Sequence, residues 1–143
     1  MDGTLVDSGR LHEIAWVNTL DAFGIPLDRP LMRSLCGVPT LQTLELLLKK
    51  FKHTVTASAE EMTLYKEAIV KEKARDHVKP TRLLELALAS HGRMPMSVGT
   101  GATGEEAANL LRYCKMDSLF DHVVGAERVA KPKPAPDTFL LCA

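Results

Sequence analysis

The strongest constraint on the fold is the long helical stretch that separates two polar motifs. Asp2 opens an acid–Gly–Thr turn, and Thr100 ends a short apolar run; residues 3 to 99, 97 in all, lie between them. A crossover between parallel strands needs only a few tens of residues, and the excess here is almost all amphipathic helix. We therefore predict an α/β fold, in which a Rossmann-like parallel-sheet core carries an inserted helical cap.

The predicted cap leaves the core near Ser8–Arg10 and returns near Val78–Arg82. The core would then comprise residues 1–8 and 80–143, and the cap residues 9–79. A cap over the carboxyl edge of a parallel sheet covers the crevice in which α/β proteins bind their ligands.

Apolar residues recur at helical spacing in four segments of the chain. The predicted helices run from Leu11 to Phe23, from Leu41 to Phe51, from Ser58 towards Ala74 and from Leu83 to Ala89. The third opens with Ser58-Ala59-Glu60-Glu61, a capping-box signature.

The remaining third of the chain alternates strand and helix. Met94–Thr100 and Phe120–Val124 are predicted to be short buried strands. Between them, Thr103-Gly104-Glu105-Glu106 predicts a capped helix. Prolines 132, 134 and 136 then impose an extended loop, and the final apolar run 140–143 indicates the beginning of another helix.

Composition excludes several classes of partner. The 143 residues carry 18 basic and 18 acidic side chains, so charge favours neither nucleic acid nor an acidic membrane. No apolar run approaches the ~20 residues of a membrane span. Cys36, Cys114 and Cys142 are far apart, as in a reducing compartment. We predict a cytoplasmic protein without a nucleic-acid or membrane partner.

Two regions near the predicted strand ends suit an anion. Thr100 and Gly101 precede a helix N-terminus and offer a hydroxyl and close backbone approach. Lys133, in a proline-braced loop, supplies the cation that phosphoryl transfer requires, although Lys131 is a rival. Thr100 also suits a simple turn or capping role, so chemistry alone leaves both interpretations open.

Asp2 and Gly3 have a similar ambiguity. Asp-Gly is a common turn, but the same turn can direct the N–H groups of Gly3 and Thr4 towards a phosphate. The remaining histidines beyond His12, at 53, 77, 91 and 122, lack the spacing of a transition-metal site.

Three motifs, in this order, resemble those of the haloacid dehalogenase superfamily. Met1–Thr4 is similar to the end of the first motif, Asp-x-Asp-Gly-Thr, and Met96–Gly101 resembles the second, a strand ending in Ser or Thr. Lys133–Asp137 resembles the third, Lys-Pro-x-Pro-Asp. The resemblance covers nearly the whole chain and is strongest to the β-phosphoglucomutase-like sugar-phosphate phosphatases, including the bacterial fructose-1-phosphatases.

The resemblance implies roles for individual residues. Asp2 would be the second acid of the first motif, which protonates the leaving oxygen and activates water, and its backbone carbonyl would contribute to a Mg²⁺ site. Thr100 would bind the transferring phosphoryl group, with Lys133 as its cation, and Gly3 and Gly101 would offer backbone contacts. The reaction would pass through an aspartyl-phosphate.

The resemblance also places substrate-contacting residues in the cap. His12, beside Asp7 at the start of the cap, would lie near the substrate. The turn Cys36–Gln42 would set specificity through Thr40 and Gln42. Mutases of this branch carry arginine at the position of Thr40, and fructose-1-phosphatase-like members carry it at the position of Gln42. A small sugar phosphate is therefore the expected substrate, with its identity left open.

Two family elements fall outside these 143 residues by the same resemblance. The nucleophilic aspartate would immediately precede Met1, and the later Mg²⁺-binding carboxylates would follow Ala143. We expect a phosphomonoesterase truncated at both ends and inactive as this chain. The alternatives are a hexose-phosphate mutase and a non-catalytic truncated product whose helical cap is an interaction module.

Overall fold

The computed structural model describes residues 1–51 and 56–143, so His53 lies outside the described residues. Its helices are α1 (Gly9–Ala22), α2 (Arg29–Ser34), α3 (Thr40–Phe51), α4 (Ala59–His77), α5 (Leu83–Ser90), α6 (Gly104–Tyr113) and α7 (Asp137–Cys142). Its strands are β1 (Val6–Asp7), β2 (Lys79–Pro80), β3 (Ser97–Gly99) and β4 (His122–Val124). Short 3₁₀ turns occupy Asp117–Leu119 and Ala126–Arg128.

The two predicted buried strands are present and pair in parallel. Ser97, Val98 and Gly99 of β3 lie opposite His122, Val123 and Val124 of β4. Helix α6 connects them, as a parallel crossover requires. Both strands are shorter than their apolar runs, because the flanking residues bend into loops. The α/β fold class is confirmed.

A second, antiparallel pair joins the chain before and after the long helical stretch. Val6 lies opposite Pro80 and Asp7 opposite Lys79. The Thr81 N–H donates to the Leu5 carbonyl at 3.0 Å, and the Thr81 hydroxyl donates to the Thr4 carbonyl. This pair lies where the sequence predicts the two crossings of the cap.

Two apolar clusters form the interior. One surrounds the β3–β4 pair and α6, with Val98, Leu110 and Leu111 among its buried members. The other joins α1, α3 and α4 through Leu20, Leu44, Leu47 and Met62.

Helices α1 and α4 belong to both clusters. Leu11 and Ala15 of α1 pack in the first cluster, whereas Leu20 packs in the second. Val70 and Ala74 of α4 likewise pack in the first cluster. A fully buried side chain of this kind contributes roughly 1.5–3 kcal/mol, so the two helices tie the cap firmly to the core. The division into residues 1–8 and 80–143 against 9–79 remains a prediction.

The helix starts follow their sequence signals. Ser58 Oγ accepts from the Glu61 N–H at 3.2 Å, and the Glu61 carboxylate accepts from the Ser58 N–H at 2.7 Å, completing the predicted capping box. Short α2 follows Asp28, whose carboxylate caps the Leu31 N–H. All three cysteines are free. Within the described ranges, no helix combines the length and apolarity that a membrane crossing demands.

Candidate active site

The Asp2 carboxylate is held by side chains from the start of the cap. Ser8, which is 1% exposed, donates its hydroxyl to Asp2 Oδ1 at 2.6 Å. His12 Nε2 lies 3.4 Å from the same oxygen. Ser8 immediately precedes α1 and His12 lies in its first turn, so this helix orients both partners. The structure thus brings the predicted Asp2 and His12 together.

These contacts keep Asp2 ionised. Burial alone raises the pKa of a carboxyl group, but the hydrogen bonds from His12 and Ser8 outweigh it and lower the pKa of Asp2 to about 2. An ionised carboxylate can accept a proton or bind a cation at neutral pH. It can donate a proton only after it has taken one up, and the hydrogen bonds from Ser8 and His12 oppose that uptake.

Glu106 joins this group from helix α6. Its Oε1 lies 3.9 Å from His12 Nε2, and its side chain is 13% exposed. Thr103 Oγ1 accepts from the Glu106 N–H at 3.2 Å, which is one half of the predicted capping box. The Glu106 carboxylate faces His12, so this imidazole lies between two acids.

Lys66 is a buried cation that sequence reasoning missed. It is 3% exposed, and its Nζ donates to Thr40 Oγ1 at 3.2 Å and lies 5.2 Å from the centre of the Trp16 ring. Burial lowers the pKa of Lys66, and the negative charges of Glu106, Glu67 and Asp2 oppose that shift.

The sequence did contain a signal for Lys66. Met62, Lys66, Val70 and Ala74 are spaced four residues apart and form the buried stripe of α4. A lysine in such a stripe is unusual, since buried lysines are rare unless they are paired. The signal for Ser8 was weaker, because a small polar residue before a helix is ordinary.

Thr100 lies at the end of β3, as predicted, and is 2% exposed. Its N–H donates to the Val124 carbonyl at 3.0 Å, and its Oγ1 accepts from the Ala102 N–H at 3.2 Å. The hydroxyl hydrogen remains available to a phosphoryl oxygen, since a hydroxyl can donate and accept together.

The start of α6 differs from the sequence expectation of helix N–H groups aimed at an anion. The Gly104 N–H donates to the Glu127 carboxylate, at 3.1 and 3.2 Å from its two oxygens. Thr103 caps the Glu106 N–H in the same turn. The N–H groups of Gly104 and Glu106 therefore bind the chain's own acceptors.

The expected anion nest at Gly3 and Thr4 is not formed. The Gly3 N–H donates to the Val6 carbonyl at 2.8 Å, and the Thr4 N–H donates to the Met1 carbonyl at 3.1 Å. A tight turn of the loop back onto β1 uses both groups. Gly3 therefore shapes the loop that carries Asp2.

The cap turn approaches the core at Gly101. A Cβ at Gly101 would lie 3.2 Å from the Gly37 carbonyl oxygen, so a side chain there would require the cap turn to shift by a few tenths of an ångström. Thr40, at the start of α3, binds Lys66, whereas Gln42 is exposed. Of the two predicted specificity residues, Thr40 is thus joined to the charged group described above.

Lys133 and Lys131 have different surroundings. Lys133 is half-buried, and its positive charge contributes to lowering the pKa of the Met1 amino group, after the larger effect of burial. The side chain of Lys131 is exposed, and its N–H donates to Asp137 at 3.3 Å. Proximity to Met1 places Lys133 beside the loop that carries Asp2.

By the family resemblance, the Asp2 backbone carbonyl is the magnesium ligand that falls within these residues. Mg²⁺ prefers oxygen ligands and commonly takes one or two protein carboxylates together with waters and substrate phosphate, and a carbonyl oxygen fits such a set. Over residues 1–51 and 56–143, no three His, Cys, Asp or Glu side chains form a metal-binding group.

A comparison with models of protein families identifies the family of this chain. The model of the haloacid dehalogenase-like hydrolases matches residues 1–143. The chain belongs to this family. The resemblance seen in the three sequence motifs is therefore confirmed.

Individual relatives have related activities. The chain is 36% identical to fructose-1-phosphate phosphatase YqaB of Escherichia coli over 143 residues, all of this chain and 75% of that protein. It is 28% identical over 153 aligned positions to β-phosphoglucomutase of Bacillus subtilis, covering 100% of this chain and 66% of that one.

Among solved structures, CbbY from Rhodobacter sphaeroides in complex with phosphate has the same fold. The TM-score is 0.84 at 21% identity, over 99% of this chain and 68% of CbbY. The chain thus spans two thirds to three quarters of the length of these three proteins.

Proposed function

We propose that this chain forms the catalytic cleft of a Mg²⁺-dependent phosphomonoesterase that acts on small sugar phosphates. The observation that carries the proposal is the ionised Asp2 carboxylate, fixed by Ser8 and His12 among charges contributed by both the cap and the core. The similarity to fructose-1-phosphate phosphatase supports a hexose or pentose monophosphate as substrate.

Asp2 acts as the proton carrier in the proposed reaction. Its ionised form suits the removal of a proton from water, and general base catalysis of this kind is typically worth 10²–10⁴-fold. Protonation of the leaving oxygen requires the protonated acid, so we propose that loss of the contact from His12 or Ser8 raises the pKa of Asp2 and that Asp2 takes up a proton from solvent before that step. The nucleophile of an aspartyl-phosphate route would lie before residue 1, by family resemblance.

Thr100 and Lys133 bind the phosphoryl group in this proposal. The Thr100 hydroxyl donates to a phosphoryl oxygen while its own oxygen stays bound to the Ala102 N–H. Lys133 supplies positive charge where negative charge accumulates, which is the usual contribution of a cation in phosphoryl transfer. When bound, Mg²⁺ at Asp2 would neutralise further phosphate charge.

A mutase is the second candidate, and Lys66 favours it. The cap turn itself has no arginine, but Lys66 brings a cation to Thr40 from α4. A mutase must hold the distal phosphate of a bisphosphate intermediate. Lys66 offers one buried ammonium and not the two-pronged contact of a guanidinium, so we favour water as the acceptor.

The test uses a graft, in which residues 1–143 replace the aligned segment of the E. coli phosphatase. We expect the graft to release inorganic phosphate from hexose phosphates and p-nitrophenyl phosphate, with a requirement for Mg²⁺. The unmodified E. coli enzyme is the positive control. By the family resemblance, the 143-residue polypeptide alone should show no multiple turnover.

Three results would each contradict part of the proposal. A folded graft that hydrolyses none of these substrates would favour the non-catalytic interaction module. Interconversion of glucose 1-phosphate and glucose 6-phosphate without phosphate release would favour the mutase. Multiple turnover by the 143-residue polypeptide that is lost on Asp2→Asn would show that the nucleophile lies within these residues.

A further inference from the structure

Two loops at the carboxyl edge of the β3–β4 pair are joined near their first residues. The β3 loop (residues 100–103) carries Thr100, and the β4 loop (residues 125–136) leads to Lys133. The Thr100 N–H donates to the Val124 carbonyl at 3.0 Å, and the Ala126 N–H donates to the Ala102 carbonyl at 2.9 Å. The β3 loop is therefore hydrogen-bonded through its backbone to the end of β4 and to Ala126, the second residue of the β4 loop.

Glu127 adds the last contact of this series. Its carboxylate receives the Gly104 N–H at the first residue of α6, at 3.1 and 3.2 Å. This acceptor comes from the β4 loop, whereas an N-cap normally comes from the residue just before the helix. Thr103 occupies that position and caps the Glu106 N–H, so Glu127 is additional to the ordinary cap.

The backbone is shaped to admit this carboxylate. A Cβ at Gly125 would lie 2.3 Å from Glu127 Oε2 and 2.4 Å from the Gly104 N atom. Gly125 is buried, and no larger residue fits while Glu127 keeps its contact. Two independent features thus maintain the contact between the β4 loop and the start of α6. The two carboxylate oxygens of Glu127 accept from the Gly104 N–H, and Gly125 has no side chain that would occupy the same space.

We propose that Glu127 is a positioning residue, which holds the Thr100 loop and the Lys133 loop in the relative arrangement that binds a phosphoryl group. Glu127 acts through Gly104 and the shared backbone bonds and does not touch the substrate. The inference rests on the proposed function for the role of Thr100 and Lys133. The mechanical part of the inference, that Glu127 orders the two loops, stands on the contacts alone.

The first arm measures loop order in the 143-residue chain without ligand. Amide hydrogen exchange is followed by NMR in the wild type, Glu127→Ala, Glu127→Gln and the control Glu85→Gln. Glu85 is an exposed glutamate in the first turn of α5, so its change removes the same charge at an exposed position away from the two loops. We expect faster exchange at Thr100 and Ala126 in Glu127→Ala, with unchanged exchange at α4 amides and in the control. Unchanged exchange at Thr100 and Ala126 would overturn the inference.

The second arm titrates inorganic phosphate into the same proteins. We expect Glu127→Ala to raise the dissociation constant about five-fold, the scale of losing one helix-capping acceptor when the ordered loop must form on binding. Glu127→Gln retains an amide oxygen as acceptor and should show a smaller loss, and Glu85→Gln should show none. Comparison at equal folded fraction separates this effect from a general loss of stability.

The outcomes distinguish the inference from the function on which it rests. Tighter phosphate binding by Glu127→Ala would overturn the inference, because it would show that the carboxylate occupies an anion site. If the wild type binds no phosphate, the proposed function fails while the exchange arm still decides whether Glu127 orders the loops. If Glu127→Ala does not fold, Glu127→Gln provides both measurements.

Discussion

The core and the cap each contribute a charged group to the cleft region. The surroundings stabilise the charged form of one group and destabilise the charged form of the other. Asp2 on the core receives hydrogen bonds from Ser8 and His12, and its pKa falls to about 2. Lys66 on the cap has one hydroxyl, Thr40, and the face of Trp16, and burial lowers its pKa. A lowered pKa stabilises the charged form of an acid and destabilises the charged form of a base.

The difference indicates which charge is satisfied before a ligand arrives. The Asp2 carboxylate has its hydrogen bonds in place without a ligand and contributes to stability in its ionised form. The Lys66 ammonium is poorly solvated, so a nearby anion would compensate it. The core thus holds a charge that is already satisfied, whereas the cap holds a charge that favours an anionic ligand.

The largest effect is expected from Asp2→Asn in the grafted enzyme. The amide cannot carry a proton between water and the leaving oxygen, so turnover should fall by roughly 10²–10⁴-fold. Phosphate release from a hexose phosphate under saturating substrate provides the measurement. A loss below threefold would mean that another group carries the proton.

A smaller but still large loss is expected from Lys133→Ala. Half-buried Lys133 lies beside Met1, whereas the matched control Lys131 is exposed. Loss of a cation at the phosphoryl oxygens should lower kcat/KM by about 10²-fold or more, and Lys131→Ala should change it by less than about threefold. Equal losses from the two variants would show that the third motif is aligned on the wrong lysine.

Lys66→Met tests the role of the buried lysine of the cap, because it should change stability and substrate binding in opposite directions. Removal of a poorly compensated buried charge should raise the free energy of unfolding of the 143-residue chain by about 1 kcal/mol or more, and it should weaken sugar-phosphate binding. Urea denaturation and substrate titration measure the two effects. Lys71→Met, at an exposed lysine in the same helix, should change stability by no more than about 0.5 kcal/mol.

The stability gain of Lys66→Met should depend on pH in a defined direction. The folded pKa of Lys66 lies below its ordinary value of 10.5. Below the folded pKa, Lys66 is charged in both states and destabilises the fold. As pH rises through the folded pKa towards 10.5, the folded chain loses its proton first and this cost disappears. The gap between variant and wild type should therefore narrow at alkaline pH, and a widening gap would contradict the assignment.

The smallest effect is expected at Gln42, which is exposed at the start of α3. In the grafted enzyme, Gln42→Arg should change KM among sugar phosphates by about five-fold, the size of an exposed ion pair, and leave kcat nearly unchanged. Gln42→Met is the uncharged control. A collapse of kcat for every substrate would place Gln42 at the chemistry.

Much of the fold followed from local pattern. The helical stripes, the capping box at Ser58 and the strand runs before Thr100 and at Phe120–Val124 place the main elements, because those signals act over a few residues. The pairing of Val6–Asp7 with Lys79–Pro80 could not be predicted from local sequence, because a two-residue strand is too short to show a period-two pattern.

The candidate site was predictable only in part. The sequence indicated Asp2, His12, Thr100 and Lys133, because each lies in or beside a motif with recognisable chemistry. It could not indicate which N–H groups remain available to an anion, because the Gly104 N–H is taken by Glu127, a residue 23 positions away. Backbone hydrogen bonds between loops depend on how the elements pack.

The sequence by itself determined the family, the α/β class and the order of the motifs, since these reside in short runs of residues whose chemistry is local. Only the tertiary structure decided the electrostatics of the cleft. Asp2 and Ser8 meet through a turn, but Lys66 reaches Thr40 across 26 positions. Burial and long-range proximity set a pKa, and both arise only when the helices pack together.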